Sequence, residues 1–274
     1  ICNSSLTTYV NSPRDYFFDR LVDGPDRDYF REGNLFHDFA EFYVEHPAVV
    51  HEASLDTIVD LMLEDAEPFF SGTDRPLRRR KYRIGLETIV EYLDDLRPFE
   101  EDFLTPSSGW GTNFFAEYFG TSVDSPLTER WFDDISLGIK GKIDLIAAPD
   151  RLLDHKSGSK KNRRTVVKQA AIDPPAETPN FQAALYLCYY RTKRPDEPLE
   201  FTFFHFLETL DDVVTGSHDI SDTLTTVSYY PWTFDEHVGS RTAFDTLLDG
   251  WNDCAATFED LELPTYQEIM GRLP

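Results

Sequence analysis

Residues 129–158, reading ERWFDDISLGIKGKIDLIAAPDRLLDHKSG, restrict what this chain can fold into more than any other stretch. Apolar residues alternate over 130–135, 137–147 and 152–155, with turn chemistry at Asp133-Asp134 and Pro149-Asp150. The pattern predicts three short strands joined by tight connections. Asp144 falls on the second strand. Asp154 and Lys156 fall on the third, two residues apart, so their side chains share a face. A tight hairpin brings Asp144 beside them. Leu145, Ile146, Leu152 and Leu153 flank these charges. The strands are therefore buried, and charges inside them are costly unless they have a task. This argues against a merely solvated strand pair. Two carboxylates and an ammonium at one sheet edge are what a hard divalent cation and a phosphodiester require.

The rest of the chain supplies helices. Ser4 or Ser5 reads as an N-cap before a helix with Leu6, Tyr9 and Val10 on one face, and Pro13 opens a further turn with Tyr16, Phe17 and Leu21. Residues 31–47 form an amphipathic helix whose buried stripe is Leu35, Phe36, Phe39, Phe42 and Tyr43. On it, His37 and Glu41 stack four residues apart. Helices are predicted over 55–66 and 77–96, with a poorly defined segment over 111–119. After the three strands, Asn180 caps a largely buried helix carrying Gln182 and Tyr186 on one face. A clear alternating strand follows over 199–208. A parallel strand reached through that helix is a right-handed crossover unit. A further strand over 225–229 and a final helix over 234–258 complete the reading, and the tail is ambiguous. The expected architecture is α/β: one domain over 1–274, a mixed sheet flanked by helices, with a helical insertion over about 50–125 before the sheet.

Two basic clusters stand out. Arg78, Arg79, Arg80 and Lys81, with Arg83, form either a solvated helix face or a phosphate-tracking patch. Lys160, Lys161, Arg163 and Arg164, with Lys168 beyond, lie in a Gly/Ser loop after the carboxylate pair and would overhang it as phosphate contacts. They matter because the formal net charge of the chain is −24, spread along its length. Such a surface keeps a protein hydrated in high salt and points to a salt-accumulating microbe. It should repel nucleic acid, but at molar salt the Debye length is only about 3 Å and distant repulsion fades. No apolar run approaches the length of a membrane span and no signal peptide is visible. The first residue is Ile1, as in a fragment or trimmed chain. Cys2, Cys188 and Cys254 form no pairable framework, so a reduced, cytoplasmic protein is expected.

At Gly33-Asn-Leu-Phe-His37, Gly141-Lys-Ile-Asp144, Leu153-Asp154-His155-Lys156-Ser-Gly158 and Gln182-Ala-Ala-Leu-Tyr186, the chain resembles the RecB-like branch of the PD-(D/E)XK nuclease superfamily, which includes AddB-type and Cas4-type nucleases. The opening SSLTTYVNSPRDYFFDRL is similar to that family's first helix. The resemblance covers nearly the whole chain, with 50–125 least constrained. A lone DxK occurs by chance, whereas four motifs in order are specific. The resemblance implies a restriction-endonuclease-like fold and a Mg²⁺ or Mn²⁺ held by Asp144, Asp154, the backbone carbonyl of His155, and His37. A histidine ligand tilts the preference toward Mn²⁺. It further implies that Lys156 orients or helps deprotonate the attacking water and offsets phosphate charge. Gln182 and Tyr186 would line the DNA channel, bonding phosphate or bracing Lys156. Glu129 matches an acidic position that either touches the metal through water or lies on the surface.

One departure is informative. Many AddB-like and Cas4-like relatives carry four cysteines around an iron–sulfur cluster. Here Ser12 stands at the N-terminal position and the tail from Leu263 has none, so no cluster is expected and apolar packing of the tail would hold the first helix instead. The expected activity is a metal-dependent deoxyribonuclease, acting as an exonuclease on single strands or duplex ends in DNA repair or recombination. It would work beside or fused to a helicase, since the chain has no Walker motif. A Cas4-like adaptation nuclease is disfavoured by the missing cysteines, and a non-catalytic DNA-binding scaffold by the intact motifs. RNA stays open as a substrate.

Overall fold

The computed structural model describes residues 2–12, 14–16, 18, 28–69, 75–105, 112–123, 128–134, 139–156, 165, 169, 177, 180–194, 197–205, 224–229 and 267. The alternating runs become β1 (Thr128–Asp134), β2 (Ile139–Ala148) and β3 (Arg151–Lys156), joined in one sheet by β4 (Leu199–His205) and β5 (Leu224–Tyr229) in the order β1-β2-β3-β4-β5. All neighbours are antiparallel except β3 and β4, which run parallel. Parallel neighbours need a crossover. Helix α7 (Gln182–Lys193) lies in the connection between them.

Among the described residues, the helices before the sheet include α1 (Asn3–Asn11), α2 (Asp28–Glu45), α3 (Pro47–Ala53), α4 (Leu55–Ala66), α5 (Arg75–Asp94) and α6 (Phe114–Phe119). Alternation along the strands splits the apolar side chains into two cores. Phe132, Ile143, Leu152, Phe201 and Phe203 pack with Leu185, Tyr186, Tyr189 and Tyr190 of α7. Leu145, Leu153 and Phe204 pack instead with Leu35, Phe36, Phe39 and Phe42 of α2 and the buried faces of α4 and α5. The result is a mixed sheet between helical layers, with both faces of its central strands buried. Each fully buried Leu or Phe contributes about 1.5–3 kcal/mol, so the two cores hold α2 and α7 firmly on opposite faces of β3.

Several boundaries differ from the sequence reading. Cys2, not Ser4 or Ser5, occupies the N-cap of α1, with no side-chain cap bond, and Ser4 lies inside the helix. The capping serine is the next one: the Ser12 hydroxyl accepts the Asp15 N–H at 3.2 Å and starts the following turn. Asp133 and Asp134 are not turn residues. They pair with Lys140 and Ile139 in the β1–β2 ladder, and Lys193 reaches Asp134 at 3.4 Å, so the ladder continues through two acids. Helix α5 begins at Arg75 and ends at Asp94. The strand predicted over 199–208 is described as far as His205. The helix predicted over 234–258 falls outside the described residues, as do Phe17, Leu21 and nearly all of the tail.

Candidate active site

Strand β3 places residues of alternate parity on opposite faces, and α2 and α7 each meet one set. On the α7 side, the Lys156 ammonium lies 2.5 Å from Asp154 Oδ2, while the Gln182 amide Nε2 donates to Asp154 Oδ1. Lys156 also lies 5.8 Å from the centroid of the Phe203 ring. On the α2 side, the ring of His155 faces that of His37, with centroids 5.7 Å apart. Asp144 stands between the two groups. The β2–β3 ladder is paired at Leu145↔Leu153, and beyond it the His155 N–H donates to the Asp144 carboxylate, Oδ2, at 2.7 Å. The same oxygen lies 3.6 Å from His37 Nδ1. Asp144 and Asp154 are only 8% and 1% exposed, so their charges act in a low-dielectric setting.

Other residues hold this arrangement from outside. The Tyr186 hydroxyl donates to the Lys142 carbonyl at 2.7 Å, fixing β2 against α7. A side chain at Gly141 would prevent this: its Cβ would sit 2.5 Å from Phe132 Cζ and 2.7 Å from Tyr186 Cε1. The first residues of α7 are tied to α1, because Asn3 Oδ1 accepts the Phe181 N–H at 2.9 Å. Asn180 Oδ1 accepts the Gln182 N–H at 3.0 Å, although the boundary residue of the helix is Phe181.

A cavity of about 600 Å³ opens at this point, lined by His37, Asp144, Asp154, Lys156, Gln182 and Tyr186 together with Arg31, Asn34, Asp38, Glu41, Thr112, Asn113, Glu129, Trp131 and Lys142. Burial drives the ionisation of the site. It pushes the Asp154 carboxyl up to about 7, with the neighbouring charge of Asp144 adding to the shift against Lys156 and Gln182. Burial also pushes Asp144 upward, but His37, His155, Lys156 and the His155 N–H outweigh it and hold that carboxyl below its ordinary range. Both imidazoles are pushed down by burial, His155 to about 3. They are neutral near pH 7, the form that binds metal. Burial draws the Lys156 ammonium down, yet the two carboxylates more than restore it. Lys156 therefore keeps its proton and acts as a charge.

The donors suit a divalent cation. One nitrogen from His37, one from His155 and one carboxylate oxygen from Asp144 all lie within 4.8 Å of one another. A family model of the PD-(D/E)XK nuclease superfamily matches residues 2–262. The chain belongs to this superfamily. No curated protein and no solved structure shows a significant match to it. Membership makes the mixed sheet with its flanking helices a restriction-endonuclease-like fold. PD-(D/E)XK nucleases generally use divalent metals, and the donor set at His37, Asp144 and His155 fits one. No helix among the described residues of this nuclease is long and apolar enough to cross a membrane.

The structure thus gathers His37, Asp144, Asp154, His155, Lys156, Gln182 and Tyr186 at one place. Gln182 and Tyr186 contact Asp154 and the β2 backbone rather than Lys156. Glu129 lines the same cavity and pairs with Lys142. It has φ 51, a left-handed backbone that few non-glycine residues adopt. Arg78, Arg79 and Arg80 do not line the cavity. Arg78 and Lys81 bind Glu32 at 3.4 and 3.0 Å, Arg79 binds Asp60 and Asp56, and Arg80 is exposed. The cluster knits α5 to α2 and α4. Lys160, Lys161, Arg163, Arg164 and Lys168 lie outside the described residues.

Sequence reasoning missed Asp38 and Lys142 and read Glu41 only as a helix neighbour of His37. Asp38 accepts the Phe114 N–H at 3.1 Å, and burial pushes its carboxyl up to about 6. Asn113 Nδ2 donates to Glu41 Oε2 at 3.0 Å, and burial raises Glu41 as well. The spacing of Glu41 from His37, and of Lys142 from Asp144, was the available signal: four residues on a helix and two on a strand.

Proposed function

We propose that the protein is a metal-dependent deoxyribonuclease of the RecB-like type, cleaving phosphodiesters at single strands or duplex ends in DNA repair or recombination. The supporting observation is the convergence of His37, Asp144, Asp154 and Lys156 on one cavity, with Gln182 bracing the second carboxylate. His37, Asp144 and Asp154 would hold the cation, with His155 adding a donor. A bound Mg²⁺ or Mn²⁺ supplies a water of lowered pKa and an electrophile for phosphoryl charge.

The chain's own residues do the remainder. The Lys156 ammonium faces the cavity and offsets charge building on the scissile phosphate. Gln182 holds Asp154 in one orientation through Oδ1, leaving Oδ2 to Lys156. The His155 N–H does the same for Asp144. Tyr186 keeps β2, and so Asp144, in register with α7. Exonuclease action, a helicase partner and a cytoplasmic, salt-rich setting complete the proposal. A helicase would deliver the separated strand that this chain has no nucleotide motif to produce.

The test is cleavage of labelled single-stranded and blunt-ended DNA with Mn²⁺ or Mg²⁺, at low and molar salt, alone and with a processive helicase. Wild type should cut only with metal, and Asp154→Ala and Lys156→Ala should each lower kcat by a factor of about 10³ or more. Unchanged cleavage in both variants removes the proposal.

A further inference from the structure

Trp131 lines the cavity without belonging to either core. Side chains alternate along this part of β1. Phe132 meets Tyr186 and stacks on Tyr189 of α7, whereas Trp131 points the other way, into the cavity. It is half-buried, and among the described residues it is a member of neither apolar cluster. A side chain of that size ordinarily goes to a core, where it buries the most surface. Tyr186 lines the cavity too, but its ring packs against Phe132 and Phe201 and its hydroxyl is held by the Lys142 carbonyl. The indole of Trp131 is an aromatic face left for a ligand.

The backbone holds that face still and sets it beside a cation. The Trp131 N–H donates to the Thr105 carbonyl at 2.9 Å, and the Thr105 N–H donates to the Trp131 carbonyl at 3.0 Å. Both polar groups of Trp131 therefore point away from β2. Its partner across the β1–β2 ladder is Lys142. Opposed residues that exchange no hydrogen bonds form the narrow kind of pair, with Cα atoms about 4.5 Å apart and side chains close together. The indole and the Lys142 side chain are therefore neighbours, and both line the cavity. Lys142 stands two residues along β2 from Asp144, a distance of about 7 Å.

We propose that Trp131 and Lys142 form a subsite for one unpaired nucleotide next to the scissile phosphate: the indole stacks on its base, and the Lys142 ammonium exchanges Glu129 for its phosphate. The proposal deepens the nuclease reading and rests on it, and it names the substrate as a single strand in preference to a duplex. Every base has a face to stack, so such a subsite selects strandedness and not sequence. A base inside a duplex has both faces covered and must first be unstacked, whereas a separated strand offers its faces freely. The cavity, about 600 Å³, is of the size that encloses a small ligand.

Steady-state cleavage by the full chain with Mn²⁺ tests this, on labelled single strands in which one abasic residue is walked along the sequence and on blunt duplex. In wild type, an abasic residue at one position beside the cut should raise KM about tenfold. Trp131→Ala should raise KM for the intact strand about tenfold, with a smaller effect on duplex. It should also respond to the abasic residue at that position by less than about twofold, because the two changes remove one contact. Trp131→Phe, which keeps a ring, should recover most of the affinity. Wild-type KM insensitive to an abasic residue at every position overturns the subsite, and no variant has to fold for that result. Equal abasic sensitivity in wild type and Trp131→Ala, or a loss in kcat alone, overturns it as well. Cleavage persists in those cases and the nuclease reading stands. Absence of Mn²⁺-dependent cleavage of any DNA by wild type would overturn the nuclease reading together with this one.

Discussion

Replacing Asp154 by Asn should remove from the metal-free protein a loss of stability that grows as pH rises. The Asp154 carboxyl is pushed from its ordinary 3.8 up to about 7, chiefly by burial. Between those values the native state holds a proton that the unfolded chain has released. The stability contributed by this group is therefore fully present below the ordinary carboxylate range and falls as pH rises to about 7, at about 1.4 kcal/mol per pH unit. From about pH 5.5 to about pH 8, the titration removes about 2 kcal/mol. Asparagine keeps the shape and an acceptor for Gln182 but has no proton to lose. For a chain of this size 2 kcal/mol corresponds to about 4–8 °C in Tm. The assay is thermal unfolding of chelator-treated wild type and Asp154→Asn across that range, followed by circular dichroism. Equal Tm differences at both ends would mean that Asp154 does not carry the proton, and the ionisation argument for the site would fall with it.

Other expectations follow from single contacts. Gly141→Ala should cost about 1–3 kcal/mol in urea unfolding, because its Cβ meets the buried Phe132 and Tyr186 rings. Gln182→Ala should lower kcat about tenfold or more with little change in KM for DNA, since the amide orients Asp154 rather than gripping substrate. Arg79→Ala should leave the salt dependence of DNA binding unchanged, because Asp56 and Asp60 hold that guanidinium within the fold. A steeper or shallower slope in that variant would restore the phosphate-tracking reading.

How far the sequence could be read depended on whether the cause was local. Alternation over residues 130–155 revealed the strands and the shared face of Asp154 and Lys156, because a strand's geometry has a period of two. The same period of two puts His155 on the opposite face of β3. It could not show that α2 would pack there and set His37 beside it, since that depends on the second core. The ion-pair partners of the Arg78–Arg80 run were hidden for the same reason. A charge run is visible locally, but its partners Glu32, Asp56 and Asp60 lie 46, 23 and 19 residues away in the chain. Gly141 was recognisable as part of a motif. Its reason, two aromatic rings arriving from β1 and α7, appears only in three dimensions. The acids of β1 read as a turn because composition outweighed the ladder that continues through them.

Glu129 brings these strands of argument together, since its role decides how an acidic protein admits DNA. Among the described residues, each Lys or Arg lining the cavity is matched by a carboxylate: Arg31 by Asp65, Lys142 by Glu129 and Lys156 by Asp154. A phosphate must displace one of them. The Lys142–Glu129 pair is the more exposed of the two lysine pairs, with Lys142 41% exposed against 31% for Lys156, and Glu129 18% against 2% for Asp154. Salt screens exposed pairs far more than buried ones. Raising salt should therefore release Lys142 toward substrate while also muting the repulsion from a net charge of −24. If this pairing is the function of Glu129, Glu129→Gln should raise kcat/KM severalfold at low salt and move the salt optimum downward, and Lys142→Gln should lower it at every salt. If Glu129 instead reaches the metal through water, Glu129→Gln should lower kcat/KM at all salts and weaken Mn²⁺ binding. The two variants assayed over one salt series, with Mn²⁺ affinity measured alongside, give opposite signs for the two roles.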